Sequence, residues 1–189
     1  MQGRPALHLC SKALQAGACR ETYRQDVCFP QKELRGILNS LFKKETEQAE
    51  RKDLIEGEYI LNIGRLEIRK NQIRLIEAFE VIVAEYKKVK LVLVGPDGVG
   101  AEEIRRRVEK SAVKDRIYVA GYLDRAVVEK LLRKAMIFSF PSLREGFGMP
   151  VLEAFDAGVP VLTSKGHALE EVGGDAAMYC DPKSVDSIA

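Results

Sequence analysis

The chain contains no tryptophan and only two histidines, His8 and His167. Two histidines leave little from which to build a His-based metal centre or a complete Ser-His-Asp triad, so no metal is expected. The cysteines, Cys10, Cys19, Cys28 and Cys180, form no CxxC pair, which argues against a zinc ribbon or a thioredoxin-like centre. They read as free thiols of a reducing, cytoplasmic compartment. No apolar run approaches the roughly 20 residues of a membrane span. The first residues lack an h-region and a cleavage site, so they do not read as a signal peptide. Neither charge sign dominates: 30 basic against 28 acidic residues leave a net +2, which gives no whole-chain attraction to nucleic acid or a membrane surface.

What is present is an ordinary soluble balance, 46% hydrophobic and 31% charged, in a chain long enough for one core plus an arm. The pattern changes near Gly57. Residues 1–57 read as a partly helical, linker-like arm, with Leu34, Ile37, Leu38 and Leu41 at helical spacing in an otherwise charged segment. Residues 58–189 are regular. Short apolar strands are expected at 59–63, 91–94, 116–120, 137–140, 159–163 and 177–180. Helices are expected at 71–87, 101–111, 124–134 and 150–157, with a short one near Ala168. Asp124 is placed to cap its helix.

These strands are continuously apolar rather than alternating, and they alternate with helices. That pattern belongs to a parallel sheet covered on both faces, an α/β doubly wound, Rossmann-like domain. Ligands of such sheets sit outside the carboxyl ends of the strands. The loops after Ile63, Val94, Ala120 and Phe140 are therefore where chemistry is expected.

The loop after the fourth strand reads Pro141-Ser-Leu-Arg-Glu-Gly-Phe-Gly-Met-Pro150-Val-Leu-Glu-Ala-Phe-Asp-Ala-Gly-Val-Pro160. Gly146 and Gly148 free the backbone for close approach to a ligand, and Pro150 suits the first turn of a helix. The unpaired N–H groups of that turn suit a phosphate. A carboxylate beside a phosphate would be repelled, so Glu145 and Glu153 are expected to reach past it to sugar hydroxyls. After the first strand, Gly64-Arg-Leu-Glu-Ile-Arg-Lys-Asn71 places Arg65 and Lys70 at the same edge. Two cations there can neutralise a diphosphate, and a departing nucleoside diphosphate gains charge in the transition state. Arg69 reads as solvated, as does the face carrying Arg105, Arg106 and Arg107. His167 reads as an ordinary polar residue and Asp97-Gly98 as a turn.

With these motifs together, residues from about 58 to 185 resemble the C-terminal domain of group 1 (family 4) glycosyltransferases, retaining enzymes of the GT-B architecture. The family pattern E-x7-E within PS-x-x-EGFG-x-P-x-x-EA-x-A-x-G-x-PV is closely followed by PSLREGFGMPVLEAFDAGVPV, with Asp156 where the pattern has Ala. GRL followed by K-N, LVLVG, and the Val119–Leu123 turn match as well. The resemblance implies a hexosyltransferase that uses a nucleoside diphosphate sugar as substrate and needs no cofactor. It assigns the donor ribose to Glu153 and the transferred sugar to Glu145. The Gly146, Phe147, Gly148, Met149 and Pro150 backbone resembles the part that contacts sugar and diphosphate, and Arg65 and Lys70 match its cationic pair. Gly121, Tyr122 and Leu123 resemble the loop beside the base, and Gly95 a close-approach glycine beside the donor.

A GT-B enzyme has two Rossmann-like halves with the active site between them. Fewer than 60 residues precede the first matching strand, and Gln31–Phe42 resembles the stretch just after the interdomain linker. The family's closing helices after Asp186 are also missing from the sequence. The expectation is therefore one half of a GT-B architecture, inactive without an N-terminal acceptor domain or partner subunit. The full-length enzyme could sit at a membrane periphery. Two alternatives stand beside it: a non-catalytic nucleotide- or sugar-phosphate-binding module, and another GT-B enzyme such as an epimerase or phosphorylase. Nucleic acid is not an expected partner.

Overall fold

Strands that are apolar on both faces must be covered on both faces. The computed structural model, which describes residues 55–189 apart from the His167 side chain, meets that need with a single six-stranded sheet. The strands are β1 Tyr59–Ile63, β2 Lys90–Val94, β3 Ile117–Gly121, β4 Ile137–Phe140, β5 Val161–Ser164 and β6 Met178–Cys180. Every pairing is parallel, in the order β3-β2-β1-β4-β5-β6. The winding reverses between β1 and β4, so the loops leaving those two strands diverge and open a crevice at the carboxyl edge.

The connecting helices are α1 Gln72–Ile82, α2 Ala101–Glu109, α3 Arg125–Lys134, α4 Met149–Asp156 and α5 His167–Gly173, with one last turn, α6 Val185–Ile188. Successive residues of a strand point to opposite faces, and the core divides accordingly. Ile60, Leu91 and Leu93 gather with Leu75, Ile76 and Phe79 of α1, Ile104 of α2, and Ile188 at the end of α6. Leu61, Val92, Phe138 and Phe140 gather with Leu131 of α3, Val151 and Ala154 of α4, and Leu169 of α5. Phe138 and Phe140, two apart on β4, stack with centroids 5.7 Å apart. Burying a side chain such as Phe79, which is 1% exposed, contributes roughly 1.5–3 kcal/mol.

The six expected strands and five expected helices are all found among the described residues, with shifted ends. The first helix stops at Ile82 rather than Lys87 and continues as turns. β5 starts at Val161 because Pro160 has no N–H; its carbonyl instead accepts from Phe138 N. Asp124 occupies the N-cap of α3 but makes no side-chain capping bond, contrary to expectation. α6 was not anticipated: its four residues follow a Pro-containing loop and carry almost no periodicity. Its cap is Ser184, whose Oγ accepts from Ser187 N. The expected arm up to residue 54, with Cys10, Cys19, Cys28 and the Leu34–Leu41 stripe, lies outside the described residues. Cys180 is a buried free thiol, and burial pushes its pKa up to about 12.

Candidate functional site

The loops after β1 and β4 flank the crevice, and polar side chains brace them. Asn71 adopts a left-handed conformation (φ 64°) between the one-turn 3-10 helix Ile68–Lys70 and α1, a conformation that Asn tolerates better than most residues. Its Nδ2 donates to Pro141 O at 2.9 Å and to Pro182 O at 2.7 Å. Gln72 Nε2 donates to Arg65 O at 2.9 Å, and Asn62 Nδ2 to Ser139 O at 2.8 Å. Asn62, Asn71 and Gln72 are nearly fully buried, so these bonds satisfy groups that would otherwise be costly to bury.

On this frame sits a charge cluster. Lys70 Nζ lies 2.6 Å from Glu145 Oε1, with both side chains about nine-tenths buried (10% and 9% exposed). Ser142 Oγ is 2.7 Å from the same oxygen. Lys70 Nζ also lies 4.8 Å from the centre of the Phe140 ring. Arg69, expected to be solvated, instead pairs with Glu67 at 2.8 Å and with Glu145 Oε2 at 3.2 Å, although its side chain is 51% exposed. Lys70 and Glu145 are thus brought together, in contact with each other. Arg65 is exposed, and no hydrogen bond or ion pair of its side chain is found among the described residues.

The turn into α4 is rich in available donors. Pro150 has no N–H, and Val151 N bonds back to Gly148 O at 2.9 Å. Among the described residues, the N–H groups of Gly146, Phe147, Gly148 and Met149 find no acceptor, a cluster suited to an anion. Gly148 has φ 99°, and a Cβ there would lie 2.8 Å from Leu169 Cδ2, so the turn needs glycine. Gly146 is exposed, and a Cβ would meet nothing within 4 Å of the protein. Gly95 differs: a Cβ there would lie 2.1 Å from Gly64 O. The close approach it permits is between the protein's own loops after β1 and β2.

Glu153, one turn into α4, lies in a cleft of about 520 Å³ with Tyr122, Leu123, Arg125, Glu129 and Asp156. Burial raises the Glu153 pKa above the usual carboxylate range; Arg125 opposes that and Glu129 adds to it. Tyr122 is 72% exposed at the cleft and Phe147 is 55% exposed in the motif loop. Gly121, which ends β3, leads directly into Tyr122. Glu153 and the adjacent pair Tyr122 and Leu123, distant from it in sequence, therefore share one cleft, while Glu145 and Lys70 lie at the crevice between β1 and β4.

Some cationic residues away from this edge depart from expectation. Arg107 is only 23% exposed and is held by Glu80 and Glu77, with Ser111 Oγ also on Glu80 at 2.6 Å. It joins α2 to α1 instead of facing solvent. Asp97 accepts from Arg105 at 2.7 Å. Sequence reading also missed Ser142, Arg69, Asn71 and Gln72 as organisers of the site. The PS dipeptide of the motif and the K-N pair were the available signals.

A family model described as "Glycosyl transferases group 1" matches residues 43–189. O-antigen chain mannosyltransferase B of Escherichia coli is 37% identical over 69% of this chain, which spans 35% of that enzyme. The serotype-specific mannosyltransferase WbdA of Escherichia coli is 35% identical over 71% of the chain and 17% of its own length. The chain thus spans about a third or less of the length of these relatives. The crystal structure of Anabaena HepE in complex with UDP and glucose superposes with a TM-score of 0.63 at 21% identity, covering 85% of this chain and 41% of HepE. At that identity the likeness shows the shared fold.

Proposed function

This chain belongs to the group 1 glycosyltransferases, and from that premise we propose that it forms the donor-binding half of a retaining hexosyltransferase that uses a nucleoside diphosphate sugar. One observation carries the reading. The Glu153 carboxylate shares a cleft with Tyr122 and Leu123, and the Gly146–Met149 turn, with its unpaired N–H groups, leads straight into the helix that bears it. In this reading the nucleoside lies in the cleft, with its base beside Gly121–Leu123 and its ribose hydroxyls on Glu153. A carboxylate raised by burial gains most from hydroxyl donors that replace lost water. The diphosphate meets the turn into α4 and the Arg65 guanidinium.

Lys70 is committed on one side to Glu145. Its remaining N–H groups can serve the diphosphate while its bond to Glu145 holds that carboxylate at the transferred sugar. When the sugar–phosphate bond breaks, negative charge grows on the nucleoside diphosphate. Lys70, held by Glu145, and the backbone donors of the turn are oriented before the reaction, so they stabilise that charge at little reorganisation cost, and the exposed Arg65 adds its positive charge at the same edge. The relatives' names, both mannosyltransferases, and the UDP and glucose held by HepE support a hexose donor. The acceptor is assigned to a second Rossmann-like half, so the isolated chain is expected to bind donor without completing transfer.

Calorimetric titration of the folded chain with UDP-, GDP- and ADP-sugars tests this. Micromolar to sub-millimolar binding of at least one is expected, and a folded chain that binds none sinks the proposal. Transfer to simple acceptors by the isolated chain would overturn the assignment of the acceptor to another half.

A further inference from the structure

Arg69 fastens the loop after β1 to the loop after β4 with its backbone as well as its side chain. Its carbonyl accepts from Leu143 N at 2.8 Å and lies 2.9 Å from Ser142 Oγ. Its Nη1 reaches Glu145 Oε2 at 3.2 Å and Arg144 O at 3.4 Å, and its Nε lies 2.8 Å from Glu67 Oε2. Glu67 is itself fitted against the loop after β2: a Cβ on Gly98 would lie 2.5 Å from Glu67 Cγ. The loops after β1 and β4 therefore meet at this guanidinium, and the loop after β2 packs against the Glu67 that anchors it.

Stability does not account for this arrangement. With Arg69 51% exposed, its ion pairs contribute little to folding. They do fix a geometry. Glu145 Oε1 is engaged by Lys70 and Ser142. Once Arg69 holds Oε2, the carboxylate can no longer turn, and the accepting capacity that remains is on Oε2. A planar guanidinium can face two carboxylates at once, which an ammonium on a flexible stem cannot reproduce.

We propose that Arg69, anchored by Glu67, is a positioning residue that aims the Glu145 carboxylate at the transferred sugar, and so governs recognition of the sugar rather than of the nucleotide. This rests on the reading of Glu145 as the sugar-facing carboxylate. The test compares, for the whole chain, affinity for a nucleoside diphosphate with affinity for the matching nucleotide sugar: UDP with UDP-glucose, and GDP with GDP-mannose. Arg69→Ala is expected to keep nucleoside diphosphate affinity within about twofold and to lose about tenfold for the nucleotide sugar. Arg69→Lys should not restore it. Glu67→Gln should lose part of the same increment, and the double variant should be no worse than Arg69→Ala alone, as expected for residues acting in series.

Equal losses for both ligands, or an unchanged sugar increment in Arg69→Ala, would overturn the positioning role. So would a wild-type chain that binds the nucleoside diphosphate and gains nothing from the sugar. A wild-type chain that binds neither ligand fails earlier and takes the donor-binding reading with it.

Discussion

Glu153 is the residue where folding and binding are expected to conflict. Burial raises its pKa, so the sign of its linkage is fixed. The contribution is favourable below the unfolded-state value and is lost as pH rises through the raised folded-state value. Denaturant unfolding across a pH series should therefore show Glu153→Gln more stable than wild type at neutral pH, with the difference closing in acid. The same substitution should weaken nucleotide binding about tenfold, because a neutral amide is a poorer acceptor for ribose hydroxyls. A variant that loses both stability and binding would show that Glu153 serves the fold instead. Glu80 has the opposite sign. The hydrogen bond from Arg107 is the main cause holding its pKa below the usual range. Its stabilisation is present above the unfolded value and disappears as pH falls through the lowered one. Glu80→Gln should cost about 1 kcal/mol at neutral pH and progressively less in acid.

At the scale of elements, two glycines separate packing from binding. Gly95 sits where the loops after β1 and β2 meet, and a Cβ would collide with the Gly64 carbonyl. Gly95→Ala should cost about 2–4 kcal/mol in chemical denaturation whether or not a ligand is present. At Gly146 a Cβ meets no protein atom. Gly146→Ala should leave stability within about 0.5 kcal/mol of wild type and weaken nucleotide-sugar binding, because the methyl group points into the space the donor is expected to use. If the two variants behaved alike in both measurements, the division between a packed edge and an open turn would be wrong. The same elements show what could be read from sequence. β1, β2 and β4 were recognisable as apolar runs ended by Gly64, Gly95 and Pro141, because a strand buried on both faces admits no polar alternation. α6 was not recognisable, because four residues cannot display a period.

At the scale of the whole molecule, the PSLREGFGMP stretch and GRLEIRKN mark the candidate site in the sequence alone. Their residue types are constrained by backbone approach and charge, which sequence displays directly. The pairings within the site were hidden. Lys70 and Glu145 are 75 positions apart, and Arg69 and Glu145 are 76 apart, so only the closing of β1 against β4 brings them together. Arg107 was misread for the same reason: its run of three arginines looks solvated until α2 is laid against Glu80 on α1. The chain spans 35% of O-antigen chain mannosyltransferase B. On the reading proposed above, this chain holds the donor and the acceptor belongs to a second half.

The most direct measurement is calorimetry of the preferred nucleotide sugar with wild type, Glu153→Ala and Arg65→Ala, each confirmed folded by its unfolding transition. Each variant is predicted to lose about tenfold or more in affinity, with the Arg65→Ala loss shrinking as salt rises, because its partner is a charged diphosphate. Affinity unchanged in both variants would contradict a donor site at the carboxyl edge of this sheet.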